Sequence, residues 1–351
     1  MSPKHALLRA VMNCLYYSGL HRLFRARYGG MGSLLMFHRV RPAPDLNSFV
    51  PNRSLEVTPD YFESVVKLLL DGGYQIVDMS EALRRVAAGD KSRRFAVLTF
   101  DDGYRDNYEF ALPICRKYGV PMVVYITTGL IDRISTAWWL GLEQVLRANQ
   151  RIAFDFDGKG YAFETGDNDA RREAFIGVSN LMRSLSLADQ ERLAAHLATH
   201  FAIDFRALTD EAFMDWNEVR DMAGSGLAEI GGHTIHHPQL ASLPADKASV
   251  EMRTGADILA EKLGQPVRHF AYPFGGRVDA GVREFALAGK LGFDTAVTGR
   301  QGNLMPEHGA HVHALPRLTV SGWHQTRAVM QVMLSGAVPA LANRLRRVVT
   351  V

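Results

Sequence analysis

The sequence predicts an α/β fold with a mainly parallel sheet. Short apolar runs of strand length alternate with segments of helical periodicity. The alternation holds on both sides of one long interruption, and no internal repeat or low-complexity tract competes with it. With 351 residues, 47% hydrophobic and 22% charged, the chain can bury a sizeable core, which excludes disorder for most of its length.

Residues 1–30 read as a basic amphipathic arm. Lys4, Arg9, Arg22, Arg25 and Arg27 stand among Leu7, Leu8, Val11, Met12, Leu15, Leu20, Leu23 and Phe24 with no acid. Ser33 to Phe37 is a strand ending in His38-Arg39, where a loop opens through Pro42, Pro44 and Pro51. Thr58 caps a helix whose apolar face is Phe62, Val65, Val66, Leu69 and Leu70, and Gly72-Gly73 stops it. A short strand at 74–77 and a helix at 80–88 lead to the buried strand Phe95 to Phe100, "FAVLTF", which ends on Asp101-Asp102-Gly103. Helix 106–118 stops at Gly119, and 120–126 is another buried strand.

Residues 130–214 break the rhythm with Trp138-Trp139, a hairpin around Asp157-Gly158 and two helical segments, the second capped at Ser186 with Asp189 completing the box. They read as an insertion in a domain spanning 31–320. Helix 216–223, capped by Asp215 and Glu218, restores the alternation, followed by strand 227–230, helix 246–263, strand 267–272, helix 279–291 and strand 293–297. Residues 321–351 form a basic helical tail with Arg327, Arg344, Arg346 and Arg347 and again no acid.

The formal charge of +3 is too small to argue for nucleic acid, and none is expected as a partner. The two ends carry +5 and +4, so the residues between them carry −6. Two readings fit the ends: basic helices packed on the domain with their charges in solvent, or helices lying on an anionic membrane surface. No apolar run reaches the roughly 20 residues of a spanning helix, and Arg9 interrupts the only stretch resembling a secretory signal. Cys14 and Cys115 match no metal or redox spacing and read as reduced packing residues. The expectation is a cytoplasmic protein, with peripheral contact at the inner membrane as the second reading of its ends.

Three strand ends hold chemistry: His38 after "LLMF", Asp101-Asp102 after "FAVLTF", and "HTIHHP" (His233 to Pro238) after "LAEIGG". In parallel α/β sheets and barrels the C-terminal strand ends gather on one face. His233 and His237 are four apart, which on a helical turn sets both imidazoles on one side, with His236 pointing elsewhere. One carboxylate added to them makes a two-His, one-carboxylate set suited to one divalent ion, Zn²⁺ first, with Co, Ni, Mn or Fe also admissible. If Asp102 is that ligand, Asp101 is free to act as general base. The bland reading of Asp-Asp-Gly alone is a polar turn.

"TFDDG", "HTIHHP" and "HFAYPFG" (His269 to Gly275) resemble, in order, three motifs of the polysaccharide deacetylases, the NodB-homology carbohydrate esterases of family four. The resemblance implies a distorted (β/α) barrel of about seven strands. It implies Asp101 as base, Asp102, His233 and His237 as metal ligands, and the N–H of Phe274, after Pro273, as oxyanion donor. Two departures stand out. Ala271 occupies the place where many members carry an arginine near the catalytic Asp, and Arg317 in "LPRLTV" is the substitute expected here. The usual C-terminal strand ending in the acid histidine is not evident either. "LLMFH" at 34–38 is instead similar to the permuted order of the poly-N-acetylglucosamine deacetylases and makes His38 the acid. Tyr272, Phe274, Trp138, Trp139 and Trp216 are candidate stacking surfaces for sugar rings, core packing being the competing role for Trp216.

The function expected is metal-dependent hydrolysis of an N-acetyl group on an amino-sugar glycan or lipid-linked saccharide, releasing acetate. The alternatives are a saccharide-binding relative impaired in catalysis, a deacylase or deformylase of a small lipid-linked sugar, and a non-haem iron oxygenase built on the same ligand set.

Overall fold

The computed structural model describes residues 3–45 and 48–350, with side chains from residue 6 onward, so the Lys4 side chain of the basic arm lies outside the described residues. Seven parallel strands close into a barrel: β1 (Gly32–Phe37), β2 (Phe95–Phe100), β3 (Met122–Ile126), β4 (Ala228–Gly232), β5 (His269–Ala271), β6 (Thr295–Gln301) and β7 (Leu315–Thr319). The order is β1-β7-β6-β5-β4-β3-β2, and β1 pairs again with β2 to complete the ring. The short strand Gln75–Ile76 extends β2 outside the ring. The seven-stranded barrel is therefore the expected fold. Helices cover its outside because each strand carries a second apolar face that must also leave water.

Alternation along the strands decides which side chains look inward. In β1, Leu35 and Phe37 join the outer core with Leu98 and Phe100 of β2, while Leu34 and Val97 join Val123, Tyr125, Ala271, Val297 and Leu315 in the inner one. Continuing that period past the strand ends brings His38 and Asp101 to the inner side, and the register Phe37↔Phe100 sets them next to each other.

Strand β7 has no counterpart among the expected elements. Pro316 lacks an amide donor and Arg317 breaks the apolar run, yet both are buried between β1 and β6. The helix expected over 106–118 is also altered. A π-helical turn (Asn107–Ala111) interrupts it after Asp106, and the α-helix continues as Leu112–Tyr118; the change falls beside Pro113, which cannot donate to a preceding carbonyl.

The 130–214 segment holds a core of its own. Helix Trp138–Ala148, the antiparallel hairpin Arg151–Phe156 with Lys159–Glu164, and helices Asn168–Ser184, Leu187–His200 and Phe205–Ala212 surround Leu142, Leu146, Ile152, Phe154, Val178 and Leu197. Asp157 (φ 50°) and Gly158 (φ 75°) make the two-residue turn of the hairpin. The arm folds as helices Pro3–Tyr17 and His21–Tyr28, and the tail as Arg327–Leu334 and Ala337–Ala342. Among the described residues no helix is long and apolar enough to cross a membrane.

Candidate active site

At Asp102 the chain leaves β2 in the left-handed region (φ 77°), followed by Gly103 (φ 87°). This turn separates the two adjacent carboxylates. Asp101 keeps the inward direction of the strand and meets Arg317, which reaches it from β7 by two parallel bonds, Nη1 to Oδ1 and Nη2 to Oδ2, both 2.7 Å. Arg317 also donates to the Thr298 carbonyl (3.0 Å) and to Thr99 Oγ1 (3.2 Å) and lies over the Tyr125 ring. Arg317 is 1% exposed and Asp101 2%, so both charges depend on each other. Burial pushes the Asp101 carboxyl up, and the guanidinium more than offsets it, leaving it below the ordinary value. Ala271 sits in the inner core, and the arginine missing from it arrives from another strand.

Asp102 points the other way, toward His233 and His237, whose Nε2 atoms each lie 3.3 Å from its Oδ1. The three ligand atoms fall within 4.8 Å of one another, and the imidazole centroids are 5.0 Å apart. His233 Nδ1 bonds the Ala271 carbonyl at 2.7 Å, which assigns the proton to Nδ1 and leaves Nε2 a lone pair facing the site. Asp102 Oδ1 is buried and forms no hydrogen bond of acceptable geometry. A buried carboxylate oxygen without a donor, facing imidazole nitrogens, is a set that a divalent cation satisfies, so these residues fit the expected metal.

The expected helical turn at "HTIHHP" is replaced by a bent loop. His237 (φ 56°) and Thr234 (φ 67°) are both left-handed, and Thr234 Oγ1 accepts the His237 N–H at 3.0 Å. Glu251, on helix Ala245–Leu263, holds the loop by accepting the N–H groups of Ile235 (3.1 Å) and His236 (3.0 Å) and bonding His236 Nδ1 (2.7 Å). His236 is thereby directed away from the other two. Gly255 lets that helix lie this close, since a Cβ there would come 2.9 Å from the Thr234 carbonyl carbon.

A cavity of about 470 Å³ joins these groups, and His38, Asp101, Asp102, His233, His237 and Phe274 all line it. His38 is half-buried, and burial lowers its pKa against the attraction of Asp102 and Asp101. Its carbonyl accepts from Asn107 Nδ2 (2.8 Å), while Asp106 takes the N–H of Val40 (3.0 Å) and pairs with Arg39 Nε (2.7 Å). Phe274 (φ 61°) follows Pro273, and no acceptor for its N–H occurs among the described residues; its ring lies 4.8 Å from that of His237.

The remaining expectations divide. Trp139 lines the cavity and donates from Nε1 to Tyr104 Oη (3.0 Å), and Trp138 lines it as well. Tyr272 does not. It is 1% exposed, packed against Phe270 and Phe285, with its hydroxyl donating to the His313 carbonyl (2.9 Å), so its assignment to a sugar-binding surface is corrected to core packing. Trp216 packs outside the cavity, bonded to Asp132 (2.7 Å). Arg317 likewise does not line the cavity, and Asp101 is the one cavity-lining group that it bonds. His308, His311 and His313 line no part of the cavity.

The residues that sequence reasoning missed are Asp106, Asn107 and Glu251, which hold loops, and Arg183, whose guanidinium lies 4.3 Å from the Phe274 ring centroid at the cavity. For Asp106 a signal exists in "DDGYRDN", since a turn after Gly103 returns it toward β1. Arg183 had none, because the insertion approaches Phe274 only in three dimensions.

The polysaccharide deacetylase family profile matches residues 88–155 and 190–296. The chain is 35% identical over 94 residues to YxkH of Bacillus subtilis (26% of this chain, 30% of that protein). It is 32% identical over 102 residues to the poly-beta-1,6-N-acetyl-D-glucosamine N-deacetylase of Staphylococcus aureus (27% of this chain, 35% of that protein). Each match spans about a third of the curated relative's length. Among solved structures, the fold is similar to the Streptococcus pyogenes deacetylase PplD in complex with acetate (TM-score 0.55, 19% identity, 83% of this chain, 92% of that one). It is also similar to IcaB from Ammonifex degensii (TM-score 0.54, 19% identity, 87% and 98%). With the barrel closed and the three motifs meeting in one cavity, the chain belongs to the polysaccharide deacetylase family.

Proposed function

We propose that this chain hydrolyses the N-acetyl group of an amino-sugar glycan or lipid-linked saccharide, giving acetate and a free amine. One observation carries the reading: a carboxylate held ionised by Arg317 shares a cavity with an Asp-His-His set whose buried Asp102 oxygen has no donor. Asp102, His233 and His237 would hold one divalent ion, Zn²⁺ by the donor set, and that ion supplies the charge that polarises an amide carbonyl and acidifies water.

The chain's own residues supply the rest. Asp101 takes the proton of the attacking water, because the Arg317 fork keeps it ionised and directed at the cavity. The unclaimed N–H of Phe274 donates to the oxygen that becomes negative as the carbonyl is attacked. His38, on the inner face beside Asp101 and lining the same cavity, protonates the departing amine. Trp138 and Trp139 offer ring faces to the sugar. Arg317, meeting Asp101 where Ala271 supplies no arginine, supports this reading over that of a saccharide-binding relative impaired in catalysis.

The test is acetate release from N-acetylglucosamine oligomers. Release is expected with Zn²⁺ and is lost on chelation and in Asp101→Asn. No release from a broad panel of acylated saccharides, with one equivalent of metal bound, refutes the proposal.

A further inference from the structure

The arm and the tail carry surface that the barrel chemistry does not use. Helix Pro3–Tyr17 packs on Arg327–Leu334, that helix on Ala337–Ala342, and the last on His21–Tyr28, so the two ends of the sequence form one four-helix face. Tyr16 stacks on His21 (5.3 Å between centroids), and Tyr28 Oη donates to the Leu345 carbonyl (3.3 Å), which ties the pieces together.

That face is apolar outward. Of the fifteen large hydrophobic side chains exposed among the described residues, eight lie on it, including Leu7 (67%), Tyr17 (80%), Leu23 (73%) and Leu341 (52%), although these segments are about a sixth of the chain. Leu7 and Val11 are one helical turn apart with exposed Cys14 beyond them, an apolar stripe facing away from the Met12 side buried in the protein. The same face is positive. Neither segment contains an acid, and Arg9, Arg22, Arg25, Arg27, Arg344 and Arg346 have no carboxylate within ion-pair distance among the described residues, whereas Arg327 and Arg347 do.

We propose that this four-helix face docks on an anionic lipid surface. Exposed apolar side chains interspersed with unpaired arginines are what an interfacial helix presents to acyl chains and headgroups. A second copy is the competing occupant, and charge argues against it: a two-fold pairing would set the unpaired arginines of both copies against one another with no acid to meet them. The proposal stands independently of the deacetylation chemistry.

The experiment uses the full chain with vesicles of phosphatidylcholine, with and without phosphatidylglycerol. The protein is expected to sediment with the anionic vesicles and to be released by salt. Each arginine near such a surface is worth about fivefold in partitioning, so Arg22→Gln/Arg25→Gln/Arg27→Gln lowers it roughly 100-fold. Leu7→Ser/Val11→Ser/Leu23→Ser weakens it as well. Both variants keep the parent melting temperature and parent acetate release from soluble oligomers, which separates lipid docking from folding and from the reaction. Absence of sedimentation with either vesicle, unchanged binding by both variants, or self-association abolished by the serine substitutions without lipid binding overturns the proposal.

Discussion

Replacing Arg317 by Met tests how the site keeps ionised the carboxylate proposed as its base. The side chains of Arg317 and Asp101 are 1% and 4% exposed and share two 2.7 Å bonds, so the substitution leaves a carboxylate inside the barrel without its counter-charge. Breaking a buried pair from one side costs about 3–5 kcal/mol. At about 2.1 cal/mol/K per residue for the unfolding entropy, that is a loss of roughly 5 °C for a chain of this length. The measurement is thermal unfolding after chelation, so that no bound ion compensates Asp101. The sign with pH follows from Asp101. In the parent its folded pKa lies below the ordinary value, so it contributes stability above about pH 4 that is lost on acidification. Without Arg317 burial dominates and the folded pKa rises, so the deficit of the variant grows from pH 5 to pH 8. Activity falls about 100-fold or more, and the acid limb of its pH profile moves up by about two units. Arg317→Lys keeps the charge but not the fork and is expected between the two. In Asp101→Asn/Arg317→Met both charges are gone, and its stability exceeds the sum of the single effects by about 3 kcal/mol. Additive effects in that cycle, with an unmoved acid limb, would refute the argument.

Three further outcomes follow from the same geometry. His38→Asn lowers turnover by about 10²–10⁴ while the metal content by elemental analysis stays at the parent value; near-normal turnover removes His38 from the reaction. His237→Ala removes one of the three proposed ligands and is expected to weaken binding of Zn²⁺ in titration calorimetry by at least tenfold, whereas His236→Ala, which loses only its bond to Glu251, retains stoichiometric binding. His308 is fully buried, accepts the Met305 N–H (2.9 Å) and has its pKa pushed down to about 4 by burial. The unfolded chain therefore binds a proton that the folded chain refuses between pH 6.5 and 4. Stability falls across that window by about 3 kcal/mol as pH drops, and His308→Gln flattens the decline in denaturant unfolding; an unchanged slope rejects this origin.

How much was legible beforehand differs by element. β1, β2 and β3 are continuous apolar runs, the signature of strands buried on both faces, and each was readable from its own residues. β7 was not, because its inward position holds a charged residue and its second residue is a proline. Only the presence of Asp101 across the barrel explains why an arginine is tolerated there.

The sequence by itself determined the barrel's alternation and pointed to Asp102, His233 and His237 as the candidate metal set, because strand ends and motif spacing are local properties written in consecutive residues. It also contained the acid-free ends, though not which side of their helices faces out. Arg317 was named beforehand as the substitute for the arginine missing at Ala271, but tertiary structure alone decided the two-bond fork by which it holds Asp101, that Tyr272 is core while Arg183 reaches the cavity, and that arm and tail form one face. These depend on which strands and helices become neighbours, a long-range outcome of closing the sheet and burying its outer face, with no trace in the spacing of residues along the chain.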